Sequence, residues 1–465
     1  MNLHDYIGNK VFYKKILMVA VPIMVESGIS NFVNLLDNVM VGRIGTEQMS
    51  AVSIVNQLIF VYSLCVIGGV EGLSIFTAQF FGKNDHDGIQ ATFRAKLWLS
   101  GGVSFAAFTI LILWGPELIG FYLNEGSEAG DLAAAQGYAE QYLHIIFLSF
   151  PAFMFIQVYG STLKACGKTV IPMRASIVAV LTNLVLNYLL IYGMNPNGLA
   201  IIPPMGVKGA AIATVISRYT EMIILVIWPH RHHNQAPYIR GVYKTLKVPC
   251  KLIGRFARTG APVLINETLW SMGMSMLLQC YSLRGLDVVA AFNISGTITN
   301  LFSIVFFSMG DAVAIIVGQL LGAGKQHEAM DTDRKIFVFA LFFSALTGIM
   351  LLSVSGLFPG IYNTDEGIKL LASQLICVYA AFCPMIALCH CSYFTLRCGG
   401  RTIISFLFDS AFTWTVSVPV AFVLSRVTDL DAVLIYLCVT GADLLKMMLG
   451  LALVKKGIWL NNLTE

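Results

Sequence analysis

The chain has 465 residues, of which 57% are hydrophobic and only 12% charged, with a mean hydropathy of +0.74 and a net charge of +4. Soluble proteins carry about 25% charged residues, so this composition excludes an ordinary soluble enzyme. No phosphate loop or nucleic-acid-binding patch is visible, so neither ATP hydrolysis nor a nucleic-acid partner is expected.

In chain order, the first fifteen residues, MNLHDYIGNKVFYKK, are basic and amphipathic. The apolar run behind them is long and lacks a small-residue cleavage site, so no cleavable signal peptide is expected. Apolar runs of about 20 residues or more, enough to cross a bilayer, then recur at roughly 16–37, 50–80, 97–115, 141–163, 170–192, 206–228, 256–283, 291–320, 336–358, 370–395, 402–425 and 431–454. Only helices and closed barrels satisfy their backbone in hydrocarbon, and the period-two alternation of a barrel is absent. The expected fold is therefore an all-α polytopic membrane protein with twelve transmembrane helices. The ten cysteines lie mostly within these runs and read as small hydrophobes, not as a disulfide framework. With the loops numbered alternately, most lysines and arginines fall on one side, among them Lys10, Lys83, Arg94, Lys168, Lys325, Arg334 and Lys455. That bias predicts a multi-pass protein of the plasma (inner) membrane with both termini cytoplasmic.

Polar residues interrupt the spans at a few places. On the first span Glu26, Ser30 and Asp37 fall within about 40° of one another on a helix, with Asn34 close by. A mid-span carboxylate costs ~2.5–3.5 kcal/mol on insertion scales, so this stripe is expected to face protein and not lipid. The alternative places Asp37 at the outer end of the span, among headgroups. The second span carries Glu71 and the eighth Asp311. On the fifth span Asn183 and Asn187 lie four apart on one face, where their oxygens can coordinate Na⁺ or their NH₂ groups hold a carboxylate; they can equally join two helices. The seventh span carries Glu267, followed by Trp270 and Met274, which offer apolar surface for varied ligands. Asp409 and Asp443 are single acids on the last two spans, and Asp443 is expected to pair with Lys446 three residues on. CHC at 389–391 is not a metal motif on a helix, because Cys389 and Cys391 point about 200° apart. HRHH at 230–233 lies in a basic loop.

The chain also repeats itself. Residues 45–82 align with 285–322 without a gap, matching Gly45 with Gly285, Gln79 with Gln319 and Gly82 with Gly322, while Glu71 meets Asp311. Pro22 and Pro262 keep the same spacing. STLKACGKT at 161–169 matches FTLRCGGRT at 394–402, as Pro151 matches Pro384. Two collinear blocks imply two pseudo-symmetric six-helix lobes in the same orientation: an N-lobe over 1–228, a basic cytoplasmic linker over 229–251 and a C-lobe over 252–465. Parallel repeats of this kind are a transporter architecture.

Pro22 with LLDNVMVGRIG, the AQFFGKND and GQLLGAGK helix ends, GSTLKACGKTVIP and NLVLNYLLIYG together resemble the multidrug and toxic compound extrusion (MATE) family, in its bacterial NorM- and DinF-like branches. The resemblance covers essentially the whole chain. It implies a V-shaped pair of lobes and a secondary active multidrug efflux transporter, a cation/organic compound antiporter working by alternating access. It further implies a cation or proton site at Asp37, with Asn183, Asn187, Glu26 and Asn34 around it and H⁺ or Na⁺ as coupling ion. Family members often have an aspartate where this chain has Asn187, which leaves Asp37 as the main charge. NorM-like members carry a glutamate on the seventh span and an aspartate on the tenth; here Glu267 sits one turn off and the tenth span has no acid. Glu267, Glu71, Asp311, Trp270 and Met274 are the candidates for substrate binding or a second proton site.

The expected partners are small amphiphilic, often cationic organic compounds and the bilayer. The protein is expected to act as a monomer, with no enzymatic activity and no cofactor beyond the coupling ion. A lipid-linked precursor flippase of the same superfamily is the alternative; it would require a more cationic cavity, whereas the intramembrane charges here read as predominantly acidic. A multi-span membrane enzyme would show clustered His, Asp and Glu at one interface, and no such cluster is visible.

Overall fold

The structure, a computed structural model, describes residues 7–126, 132–193, 203–362 and 364–465. Helices dominate it: α1 Lys10–Gly42, α2 Thr46–Gly82, α3 His86–Gly126, α4 Leu132–Ile146, α5 Ser149–Ala165, α6 Val170–Tyr192, α7 Val207–Arg231, α8 Cys250–Ser282, α9 Leu286–Gly322, α10 Gln326–Val354, α11 Glu366–Cys398, α12 Thr402–Phe406, α13 Val418–Val427 and α14 Ala432–Lys455. Ten spans among the described residues are long and apolar enough to cross a membrane, and α4 with α5 makes an eleventh as a bent pair. Helix α8 is 33 residues long but is not among those spans; Asn266, Glu267 and its serines lower its hydropathy.

Two spans depart from a simple rod. The run expected over 141–163 is two helices, α4 and α5, bent by 51° where they meet. Pro151 stands three residues into α5, and its ring opposes the Phe147 carbonyl an unbroken helix would need. The repeat-related Pro384 lies inside the unbroken α11. The run at 402–425 joins α12 to α13 through two π-helical segments, Leu407–Ala411 and Thr413–Ser417. Pro419 follows directly; it has no N–H to give and its ring excludes the Thr415 carbonyl, so the turns ahead of it widen.

The chain divides into two compact units, which are described separately. One comprises Val25–Ser74 and His86–Gly254, the other Met1–Met24, Ile75–Asp85 and Arg255–Glu465. The division follows the repeat except at two helix ends: the start of α1 and the end of α2 pack with the C-terminal half. Ile16, Val19, Ala20 and Ile23 join the core built by α9, α10 and α11 together with Phe408 and Trp459. The other core gathers Val41, Val55, Val66, Ile119, Tyr142, Phe150 and Ala211. The linker is strapped to α3: Arg94 Nε donates to the Val242 carbonyl at 2.8 Å and Trp98 Nε1 to that of Leu246 at 2.9 Å.

The ends of α2 and α9 cross at reciprocal glycines. A Cβ on Gly82 would overlap the Gln319 backbone carbonyl, and one on Gly322 would overlap that of Gln79. Each residue of one contact is the repeat partner of a residue in the other, so the two contacts are reciprocal. Gln79 is fully buried there, donating Nε2 to the Cys398 carbonyl at 2.9 Å and accepting from the Leu463 amide at 2.7 Å.

Candidate functional site

Helices α1 and α6 bring together the residues that the first and fifth spans suggested. Asn187 Nδ2 donates to Asp37 Oδ1 at 2.6 Å and to Asn183 Oδ1 at 3.0 Å. Asn183 and Asn187 are buried, 4% and 1% exposed, because four-residue spacing turns both to the same inward face of α6. The Asn187 Oδ1 atom is buried without a hydrogen-bond partner. A bare buried acceptor beside a carboxylate is a place where a hydroxyl or a hard cation would be satisfied. Arg218 of α7 extends its field to Asp37 and to Tyr142. It also reaches Glu221 at 3.4 Å, which accepts a 2.6 Å hydrogen bond from Ser176.

The rest of the α1 stripe goes elsewhere. Glu26 binds Lys164 of α5 at 2.8 Å, and its Oε2 is buried without a partner. Ser30 is exposed and donates to the Glu26 carbonyl of its own helix, so it does not turn inward with its neighbours. The Asn34 side chain lies outside the described residues. Glu71 is half-buried, with the fully buried Lys96 in its field; the Lys96 ammonium donates to Ser161 at 3.0 Å and Thr162 at 3.3 Å.

In the other unit Glu267 accepts from the Tyr393 hydroxyl at 3.2 Å and lies 3.7 Å from Arg397, which is 5% exposed. Asn266 donates both to Tyr393, at 3.1 Å, and to Asp409, at 3.1 Å. Lys446 closes the chain on Asp409 at 2.6 Å. This corrects the expectation that Lys446 pairs with Asp443: the long side chain crosses to Asp409, and Asp443 instead accepts from Ser417 at 3.3 Å. Asp311 and Trp270 are half-buried, while Met274 is exposed. Asp333 is buried and accepts from Thr395 at 2.7 Å. No group of three or more His, Cys, Asp or Glu among the described residues is placed to hold a metal ion. His390 donates Nδ1 to the Ile386 carbonyl and sets its ring edge on Phe307.

The MatE family model matches residues 22–189 and 262–423, beginning in each half at the repeated proline. The chain belongs to the MatE family. It is 24% identical over 455 residues to a probable multidrug resistance protein NorM of Thermotoga maritima, covering 96% of this chain and 93% of that one. It is also 24% identical to the probable multidrug resistance protein YoeA of Bacillus subtilis, over 90% of this chain and 88% of the relative. Among solved structures it shares the fold of MATE in the bent conformation, with a TM-score of 0.83, 18% identity and 96% and 95% coverage of the two chains. An outward-facing multidrug resistance MATE transporter matches at a TM-score of 0.81, with 18% identity and the same coverage.

Within this MatE chain the repeat organises the buried charges. Lys164 and Arg397 are repeat partners, and each binds a glutamate just beyond the repeated proline of its half, Glu26 after Pro22 and Glu267 after Pro262. Thr162 and Thr395 are also partners, but one meets the cation Lys96 and the other the anion Asp333. The sequence concealed these pairs because the partners are far apart in the chain and the two glutamates sit one position out of register. Lys96, Lys164, Arg397 and Lys446 offset some of these acids, but the carboxylates in the described spans remain the more numerous.

Proposed function

We propose that this MatE protein is a secondary active multidrug exporter, an antiporter that exchanges H⁺ or Na⁺ for small amphiphilic, often cationic organic compounds by alternating access. It acts as a monomer in the plasma membrane with both termini cytoplasmic. The observation that carries the reading is the bare Asn187 oxygen beside the bond between Asn187 and Asp37. A proton on Asp37 gives the carboxyl an O–H that this oxygen can accept, and Na⁺ would find a carboxylate and amide oxygens in the same place. In either case the amide group holds Asp37 oriented while its occupancy changes, and Arg218 disfavours holding a second positive charge nearby. An ion that binds one arrangement of the protein more tightly shifts the population toward it, and a drug that prefers the other arrangement shifts it back; exchange follows from that linkage. Each charge entering down 100 mV supplies ~2.3 kcal/mol for the cycle.

The test is ethidium efflux from proteoliposomes under an imposed pH gradient and, separately, an Na⁺ gradient. Wild-type protein should drive uphill ethidium movement with one of the two, and Asp37→Asn should enter the membrane normally yet lose that movement. Full export by Asp37→Asn would overturn the assignment.

A further inference from the structure

The connected polar chain in the C-terminal unit is unbalanced. Glu267 and Asp409 lie on it and Asp443 stands beside it, bonded to Ser417 and in the field of Lys446; these three carboxylates face two cations, Arg397 and Lys446. Arg397 serves Glu267. Lys446 is therefore left to serve both Asp409, at 2.6 Å on the neighbouring span, and Asp443, three residues earlier on its own helix and within its field. A surplus carboxylate inside a membrane unit needs a proton or a cation.

The backbone is shaped to hold this arrangement. Asp409 lies in the first π segment and Ser417 ends the second, so the two side chains that bind Lys446 and Asp443 both come from widened turns. Single π turns recur at functional sites. Asn266 clamps the first of them, accepting from the Ser410 amide at 3.3 Å and from its hydroxyl at 2.7 Å while donating to Asp409. The other titratable groups facing the cluster are Cys389 and His390 of α11, Tyr281 of α8 and Tyr436 of α14. None adds a fixed positive charge when histidine is neutral.

We propose that Asp409, Lys446 and Asp443 form a second proton-exchange site, in which one lysine neutralises the two carboxylates alternately and the carboxylate it leaves takes a proton. A proton from the aqueous phase forms an O–H bond on that carboxylate and returns to water when the ammonium comes back. The site rests on the antiport reading above for its role in transport, but its protonation does not depend on that reading.

Two measurements on the reconstituted full-length protein test it. Infrared difference spectra across a pH titration report the carbonyl band of a protonated carboxylic acid. In the Asp37→Asn background a titrating band should remain, with one component from this cluster beside any from Asp333. Adding either Asp443→Asn or Asp409→Asn should remove that component, because a single lysine then satisfies the single acid left. Adding Lys446→Met should instead enlarge it, since two carboxylates then lack a counter-ion. The Asp409→Asn, Lys446→Met double variant, which leaves no unpaired charge on that pair, guards against misfolding of the single variants and should keep the Asp443 band. A band whose intensity neither aspartate variant lowers, or the absence of any titrating band in the Asp37→Asn protein, overturns the site.

The second measurement is ethidium accumulation at static head. Asp443→Asn with Asp37 intact should lower it about tenfold per pH unit of imposed gradient, the loss expected for one coupled proton. Unchanged accumulation with that component gone would overturn the coupling role. A wild-type protein that moves no ethidium under any gradient would overturn the antiport reading and leave the infrared result to decide the site alone.

Discussion

Asn187 spends both amide hydrogens, one on Asp37 and one on Asn183, and its own oxygen is buried without a hydrogen-bond partner. Replacing it by leucine, of similar volume, strips the carboxyl of its donor and costs about 1–3 kcal/mol of stability. Uphill efflux should fall with it, while Asn187→Asp, which keeps acceptor oxygens in place, should retain efflux. Proteoliposome transport of the two variants separates those outcomes. Arg397 makes a second residue-scale case. Removing a buried partner leaves an uncompensated charge, on the order of 3 kcal/mol, reduced here because Glu267 is only partly buried and 3.7 Å away. Arg397→Met should lower the thermal midpoint in detergent, and adding Glu267→Gln should restore part of the loss; strict additivity of the two would deny their coupling. Asp37, Asn183 and Asn187 were legible because a carboxylate and paired amides inside an apolar helix stand out by their insertion cost. Lys446 misled because spacing of three on one helix suggests a partner, whereas a four-carbon side chain reaches the next helix just as easily.

At the scale of elements, the crossing of α2 and α9 depends on the absence of two side chains. Gly82→Ala and Gly322→Ala each push a methyl against a backbone carbonyl that cannot rotate away. Each should cost about 1–3 kcal/mol, and the two losses should be similar because the contacts are related by the repeat. Thermal unfolding of the pair of variants checks this, and a large effect at only one glycine would contradict the reciprocal geometry. The repeat itself was visible in the sequence as two collinear blocks. The bend between α4 and α5 was not, since Pro384 at the matching place leaves α11 whole. Neither were the π segments, because a wide turn has the same hydropathy as a tight one.

For the whole molecule, the C-terminal segment closes the core built by α9, α10 and α11. Trp459 is 1% exposed within it, and Gln79 and Lys83 hold the backbone of Asn461, Leu463 and Thr464. Trp459→Ala should remove about 3–5 kcal/mol and lower the midpoint of that unit's unfolding more than that of the other; a uniform shift would show that the units do not unfold separately.

The sequence by itself determined the membrane setting, the polytopic helical class, the internal repeat and the polar positions that hydrocarbon does not tolerate, because each follows from composition or spacing along one helix. Tertiary structure decided which buried charges meet. Lys164 with Glu26, Arg397 with Glu267 and Lys446 with Asp409 are contacts between helices distant in the chain. Their choice depends on the azimuth and height at which two helices pack, and no periodicity within either helix encodes that.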